Sequence, residues 1–142
     1  MISVQNIMTP LQRLVTASPT QSVGAARRVM AEHRIRHLPV VDQAGLLVGL
    51  VSRTDLFAAR DDDPAPLGSV MTRRVITVDP RDDARHAATL MARNLVGCLP
   101  VVRLRRLVGI ITDADLVGTA IALMEQAEFA DPEPLDEPQV EA

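Results

Sequence analysis

The sequence has no tryptophan, no tyrosine and no lysine, and a single cysteine. With only Phe57 and Phe129 as aromatics, it cannot build the stacking platforms on which single-stranded nucleic acids lie. The missing lysine removes Schiff-base chemistry and the lysine of a phosphate-binding P-loop. Cys98, being alone, forms no internal disulfide, which fits a reducing compartment. No run approaches the roughly 18 apolar residues of a membrane span. Met1 to Ile7 also lack the charged start and long apolar stretch of a secretion signal. A cytoplasmic location with no membrane partner is the expectation.

What is present has an ordinary globular balance: 142 residues, 47% hydrophobic and 23% charged, too apolar for a disordered chain. A domain of this length buries roughly 68–70% of its unfolded surface, so a core needs neither metal nor disulfides. All 15 bases are arginine and the net charge is −3. Five of the 18 acids and no base fall in residues 130–142, leaving 13 acids against 15 arginines elsewhere. That near-neutral body lacks the basic footprint of a duplex binder, so nucleic acid is not an expected partner. The acidic end, with Pro132, Pro134 and Pro138, reads as a solvated extension.

The chain is written twice. Leu38-Pro39-Val40-Val41 returns as Leu99-Pro100-Val101-Val102, Leu47-Val48-Gly49 as Leu107-Val108-Gly109, and Met8-Thr9 as Met71-Thr72. Asp55-Leu56 and Asp115-Leu116 each follow their glycine by six residues, and Thr16 and Pro19 match Thr77 and Pro80. A constant order, with spacing that slips only at loops, marks an internal repeat. The copies are placed at residues 3–60 and 67–125. An acidic, proline-containing linker over 61–66 joins them, and an acidic tail, expected to be flexible, occupies 126–142.

Each copy reads strand, helix, strand, strand, helix. Leu14-Val15-Thr16-Ala17 and Val75-Ile76-Thr77-Val78 are short β-branched runs. Polar caps (Thr20 or Ser22; Asp82 or Asp83) then precede apolar positions at helical spacing: Val23, Ala26, Val29 and Met30, matched by Ala84, Ala87, Leu90 and Met91. Two apolar strands follow in each copy, around Asp42-Gln43-Ala44-Gly45 in the first and the glycine-free Arg103-Leu104-Arg105-Arg106 in the second. Second helices are expected after Ser52 and after Thr112. The expected fold class is α/β of the α+β kind: two β-α-β-β-α repeats packed about a pseudo-twofold axis. A 60-residue half is marginal alone, so the halves should pack together, sharing a sheet face or helices, and leave a ligand cleft between matching elements.

Both copies contain the pattern Gly-x-x-Ser/Thr-x-x-Asp: Gly49, Ser52 and Asp55, then Gly109, Thr112 and Asp115. One reading is a capping box, in which hydroxyl and acid satisfy the free amides of a helix start. A second reading is a nucleotide site. Helix-start amides and a hydroxyl suit phosphate, while an ionised Asp is acceptor-only and suits the donors of a ribose diol. A side chain that caps the free protein can turn to a ligand, so the readings are compatible.

With those motifs in order and duplicated, residues 3–125 resemble a tandem pair of CBS domains, the arrangement called a Bateman module, in a stand-alone protein. The resemblance implies a regulatory rather than catalytic protein. It implies an adenosine-containing ligand (AMP, ADP, ATP or S-adenosylmethionine) bound in the inter-repeat cleft, no required cofactor, and a homodimer that signals to an unknown effector protein. It places Asp55 and Asp115 on the ribose and Ser52 and Thr112 beside the phosphate. Thr16 and Thr77, with Arg36, His37, Leu38 and Pro39 and their counterparts Gly97, Cys98, Leu99 and Pro100, would line the adenine pocket. That pocket has to be aliphatic, since no Trp or Tyr exists. Arg36 and His37 would equip the first site better for anionic phosphate.

Other signals carry less. His33 and His37 are four apart, but neither recurs in the second copy, so no metal site is expected. Cys98 has no basic sequence neighbour and reads as a buried thiol. Ser52, His37 and Asp55 lack a nucleophile elbow, which argues against an enzyme. Arg103, Arg105 and Arg106 read as a solvated tip or, alternatively, a docking patch. A dimeric interaction scaffold with vestigial nucleotide sites is the rival function.

Overall fold

The computed structural model describes residues 1–130; the acidic segment 131–142 lies outside them. The three α-helices are α1 (Val23–His33), α2 (Ala84–Asn94) and α3 (Asp113–Ala130). The strands are β1 (Thr9–Pro10), β2 (His37–Val41), β3 (Leu47–Ser52), β4 (Cys98–Arg103) and β5 (Arg106–Thr112). β2 pairs antiparallel with β3, and β4 with β5, with a register shift at Val40/Val41 in one and at Val101/Val102 in the other. The architecture is mixed α+β, and the repeat extends to this irregularity.

α1 and α2 start at the expected caps. Ser22 Oγ accepts from the Ala25 amide at 3.1 Å, and Asp83 from that of Arg85 at 3.1 Å. Ala26 and Met30, and Ala87 and Met91, form the buried stripes. Both helices end in a left-handed residue, Arg34 and Leu95.

The two β-branched runs do not form full strands. Each makes one parallel bridge, Ala17 to Val40 and Val78 to Val101. The Ala17 amide donates to the Pro39 carbonyl and its own carbonyl accepts from Val41, both at 2.9 Å; Val78 repeats this with Pro100 and Val102 at 3.1 and 2.8 Å. Extending either ladder backward requires an amide from Pro39 or Pro100, and proline has none.

The second helix of copy one is also absent, and residues 53–58 form successive turns. Arg27 on α1 explains this: its Nη1 donates to the carbonyls of Leu56 (3.1 Å), Phe57 (2.9 Å) and Ala59, and its Nε pairs with Asp61 at 3.0 Å. Those carbonyls are thereby satisfied from outside, and Pro64 blocks continuation. In copy two nothing interrupts α3, which runs on through 126–130.

The halves exchange their opening segments. Val4, in a 3-10 turn at Val4–Asn6, is fully buried in the core built on Leu99, Val101 and Ile111 of copy two. Leu67, in the matching turn Leu67–Ser69, is fully buried with Leu38, Val40 and Val51 of copy one. Thr9 sits opposite Ile110, while Thr72 and Leu50 exchange backbone bonds of 2.9 and 3.0 Å. This crossing accounts for the glycine of the repeated motif. A Cβ on Gly109 would lie 2.6 Å from the Thr9 carbonyl, and one on Gly49 would lie 2.5 Å from Met71 Sδ.

The hairpin turns also meet. Arg106 donates to the Ala44 carbonyl at 2.9 Å, and the Leu47 amide to the Arg105 carbonyl at 3.1 Å. Arg106 is therefore tied to copy one rather than belonging to a wholly solvated tip. Leu104 and Arg105 take φ of 51° and 66°, a conformation that favours Asn-Gly and costs other residues about 1–2 kcal/mol each. Leu104→Asn with Arg105→Gly should raise unfolding free energy by about 1–2 kcal/mol, read as a higher urea midpoint with unchanged slope.

Candidate functional site

The Ser/Thr-x-x-Asp motif forms the same reciprocal box in both copies. The Asp55 carboxylate accepts from the Ser52 amide at 2.9 Å, and the Ser52 hydroxyl accepts from the Asp55 amide at 3.1 Å. Thr112 and Asp115 repeat this at 2.9 and 3.2 Å. One oxygen of each carboxylate is engaged, Oδ2 in both cases, so the other is available to a ligand donor.

Strand register places the start of one strand beside the box in each copy. His37 lies opposite Ser52, and Cys98 opposite Thr112. The Arg53 amide donates to the Arg36 carbonyl at 2.7 Å, and Asp113 to that of Gly97 at 2.9 Å, the same bond in each copy. A Cβ on Gly97 would stand 3.2 Å from the Asp113 carboxylate and 3.9 Å from the His37 ring. The starts of β2, β4 and α3 therefore converge.

A cleft of about 390 Å³ opens there. Copy one contributes His37, Leu50, Ser52, Thr54 and Asp55, and copy two contributes Gly97 and Cys98 after Leu95 and Val96. The third wall is the segment entering copy two, with Thr72, Arg74, Val75 and Ile76.

Five sequence candidates thus share one cleft: His37, Ser52, Asp55, Gly97 and Cys98. Leu38, Pro39, Leu99 and Pro100 are fully buried strand residues and do not line it. Thr77 lines a neighbouring hollow of about 190 Å³ with Arg73 and Arg105. Arg36 lines a separate groove. Thr16, Thr112 and Asp115 do not line this cleft.

The wall residues Thr72, Arg74, Val75 and Ile76 were not among the candidates. Met71-Thr72 is part of the repeat, but its crossing to the other half is not. Arg74 stands directly before Val75-Ile76-Thr77-Val78 as Arg13 stands before Leu14-Val15-Thr16-Ala17, so the repeat itself carried a signal for it.

Electrostatics refine the picture. Burial lowers the His37 pKa from 6.5; Asp113 and Asp55 oppose that effect and Arg36 adds to it. Burial thus weakens His37 as a cation, and Arg74 is the arginine of the cleft wall. Burial, with Asp113 nearby, pushes the Cys98 thiol up to about 12, so it is a packing group rather than a nucleophile.

Residues 4–62 and 67–122 match the family model of the CBS domain. The chain belongs to the CBS domain family. Its CBS pair is 32% identical over 120 residues to the CBS domain-containing protein YhcV of Bacillus subtilis (strain 168), taking in 82% of this chain and 84% of that one. It is 35% identical over 103 residues to L-aspartate semialdehyde sulfurtransferase of Methanocaldococcus jannaschii, across 72% of this chain but 20% of the enzyme. The chain spans 20–23% of the length of that enzyme and of two matching homoserine O-acetyltransferases.

Among solved structures, a Vibrio cholerae protein designated AcuB superposes with a TM-score of 0.81 at 39% identity, covering 93% of this chain and 99% of that one. CBSX2, crystallised with AMP, gives 0.81 at 30% identity, covering 87% and 99%. The CBS domain pair of protein MJ0100, in complex with 5′-methylthioadenosine and S-adenosylmethionine, gives 0.77 at 31%, covering 87% and 98%. Among the described residues of the CBS pair, no helix is long and apolar enough to cross a membrane.

Proposed function

We propose that this CBS pair is a non-catalytic regulatory module that takes an adenosine-containing ligand between its two halves and works as a homodimer that signals to an effector protein. The observation that carries this reading is the cleft itself, where the Ser52–Asp55 box of one copy faces Gly97 and Cys98 of the other. The AMP, methylthioadenosine and S-adenosylmethionine complexes of similar pairs support the ligand class. Leu50, Val75, Ile76 and Val96 would hold the adenine between aliphatic side chains. Asp55 would take the ribose diol, and Ser52 with Arg74 the phosphate.

Because both copies and the crossing segment line the cleft, a ligand there bridges the two halves. It biases their relative position only as far as its affinities for the two arrangements differ. The Thr112–Asp115 box, with one carboxylate oxygen similarly available, would serve a second ligand.

Calorimetric titration with AMP, ADP, ATP, S-adenosylmethionine and GTP tests the reading. Saturable binding of at least one adenosine compound, with none of GTP, is expected. No heat with any of them at about 1 mM, where binding is worth about −4 kcal/mol, would overturn it in favour of the scaffold function. The absence of Trp and Tyr provides a convenient check, since nucleotide carried through purification dominates absorbance near 260 nm.

A further inference from the structure

The arginine turn of copy two is not accounted for by the adenosine cleft. Leu104 and Arg105 are left-handed, at φ of 51° and 66°, where the matching turn of copy one has Gly45 at 82°. Side chains persist in that region when their surroundings over-determine them, and such positions cluster at ligand sites. Here the surroundings are copy one. The Leu47 amide donates to the Arg105 carbonyl at 3.1 Å, and the Leu107 amide to that of Gly45 at 3.2 Å.

Arg105 so held lines the hollow of about 190 Å³ that also takes in Thr77. Leu47, Val48 and Gly49 of β3 contribute from copy one, and Arg73 and Thr77 from the segment entering copy two. The lining has two guanidinium groups, a hydroxyl and no acid. Among the described residues the ion pairs belong to Arg27, Arg60 and Arg81. Arg73 donates from one nitrogen to the Gly68 carbonyl at 3.0 Å, which leaves its other donors, and all those of Arg105, for a ligand. Two arginines and a hydroxyl around an acid-free hollow suit a tetrahedral oxyanion, since a guanidinium bonds phosphate oxygens in pairs. Neither Ser/Thr-x-x-Asp box lines this hollow, so it is separate from the adenosine site.

One segment connects the two cavities. Thr72, Arg74 and Ile76 line the adenosine cleft, Arg73 and Thr77 the hollow, and Val75 borders both. Backbone bonds hold the segment at Thr72, to Leu50, and at Val78, to Pro100 and Val102; among the described residues no amide between these two anchors donates to a carbonyl. A stretch so sparsely bonded shifts easily. An anion gripping Arg73 on one side therefore acts on the wall presented to the other.

We infer that this hollow is a phosphate site, and that an anion held by Arg73, Thr77 and Arg105 tightens binding in the cleft by ordering the segment between the two. The anion site stands by itself; the coupling alone rests on the adenosine reading. A wall already ordered by phosphate spares the nucleoside that ordering, and linkage makes the effect mutual.

Equilibrium dialysis against labelled inorganic phosphate, in chloride buffer at constant ionic strength, tests the site. Saturable binding is expected, at least tenfold weaker in Arg73→Gln/Arg105→Gln, because one lost charge-assisted bond already accounts for about that factor. No saturable binding, or undiminished binding by the double variant, would overturn the site. Binding lost in Arg74→Gln instead would put the anion in the adenosine cleft and overturn it equally.

Calorimetry with 5′-methylthioadenosine, which has no phosphate to compete, tests the coupling. Saturating phosphate should tighten its binding about fivefold or more in the unaltered chain and leave it unchanged in Arg73→Gln/Arg105→Gln. Equal affinity with and without phosphate would overturn the coupling and leave the anion site standing. No binding of the nucleoside under either condition would overturn the coupling together with the adenosine reading, while dialysis still decides the anion site.

Discussion

In a Leu67→Ala variant, the amides that first lose hydrogen-exchange protection should be those of α1, β2 and β3, although Leu67 opens the second repeat. Its side chain is fully buried against Leu38, Val40 and Val51, and a Leu→Ala change at such a site costs about 2–5 kcal/mol. That is a large part of the roughly 5–15 kcal/mol that holds a domain together. The matching experiment removes residues 1–8, taking Val4 and Met8 from the copy-two core together with the Val4–Asp82 and Gln5–Pro80 backbone bonds. There α2, β4 and β5 should lose protection first. Should each change act on the repeat to which it belongs in sequence, the exchanged arrangement is wrong.

Asp55→Ala combined with Asp115→Ala should weaken binding of the adenosine ligand at both sites while leaving a folded protein. A hydrogen bond to a charged group contributes about 1.5–3 kcal/mol, so each substitution weakens its site by about 10- to 150-fold. Each also removes a cap, at about 0.5–2 kcal/mol of stability, so Asp55→Asn and Asp115→Asn are the controls. They keep an oxygen for the Ser52 and Thr112 amides yet lose the charge. Affinity should fall in the Asn variants while the melting temperature holds. Affinity untouched by the double Ala change would remove the carboxylates from the ribose.

The repeat, the helix caps, the central hairpins and the Ser/Thr-x-x-Asp box are local patterns, and all are legible in the residues. What escaped is long-range. The missing helix after Ser52 follows from Arg27, some 29 residues away, capturing the Leu56 carbonyl, and no propensity within 53–58 records that. The shortened first strands follow from Pro39 and Pro100, which are plain in the sequence, but only once one knows which residue they face.

Arg36 looked like the phosphate group because it precedes the strand at the cleft, yet strand alternation sends it outward and leaves His37 inside. Arg74 is in the cleft because the Met71-Thr72 arm crosses from one half to the other. The two arms share the same Met-Thr pattern and give no sequence sign of which core each enters, so the wall residues Thr72, Arg74, Val75 and Ile76 stay hidden with it.

The crossed arms also change what the linker does. Since each copy's core is completed by the other copy's arm, one 60-residue unit made alone would have to find a second in solution, and its folding would depend on dilution. Residues 61–66 replace that encounter with a tether, and short tethers hold their ends at an effective concentration on the order of millimolar. A binding site whose walls come from both units is then assembled at any protein concentration, so ligand response need not vary with how much of the chain is present.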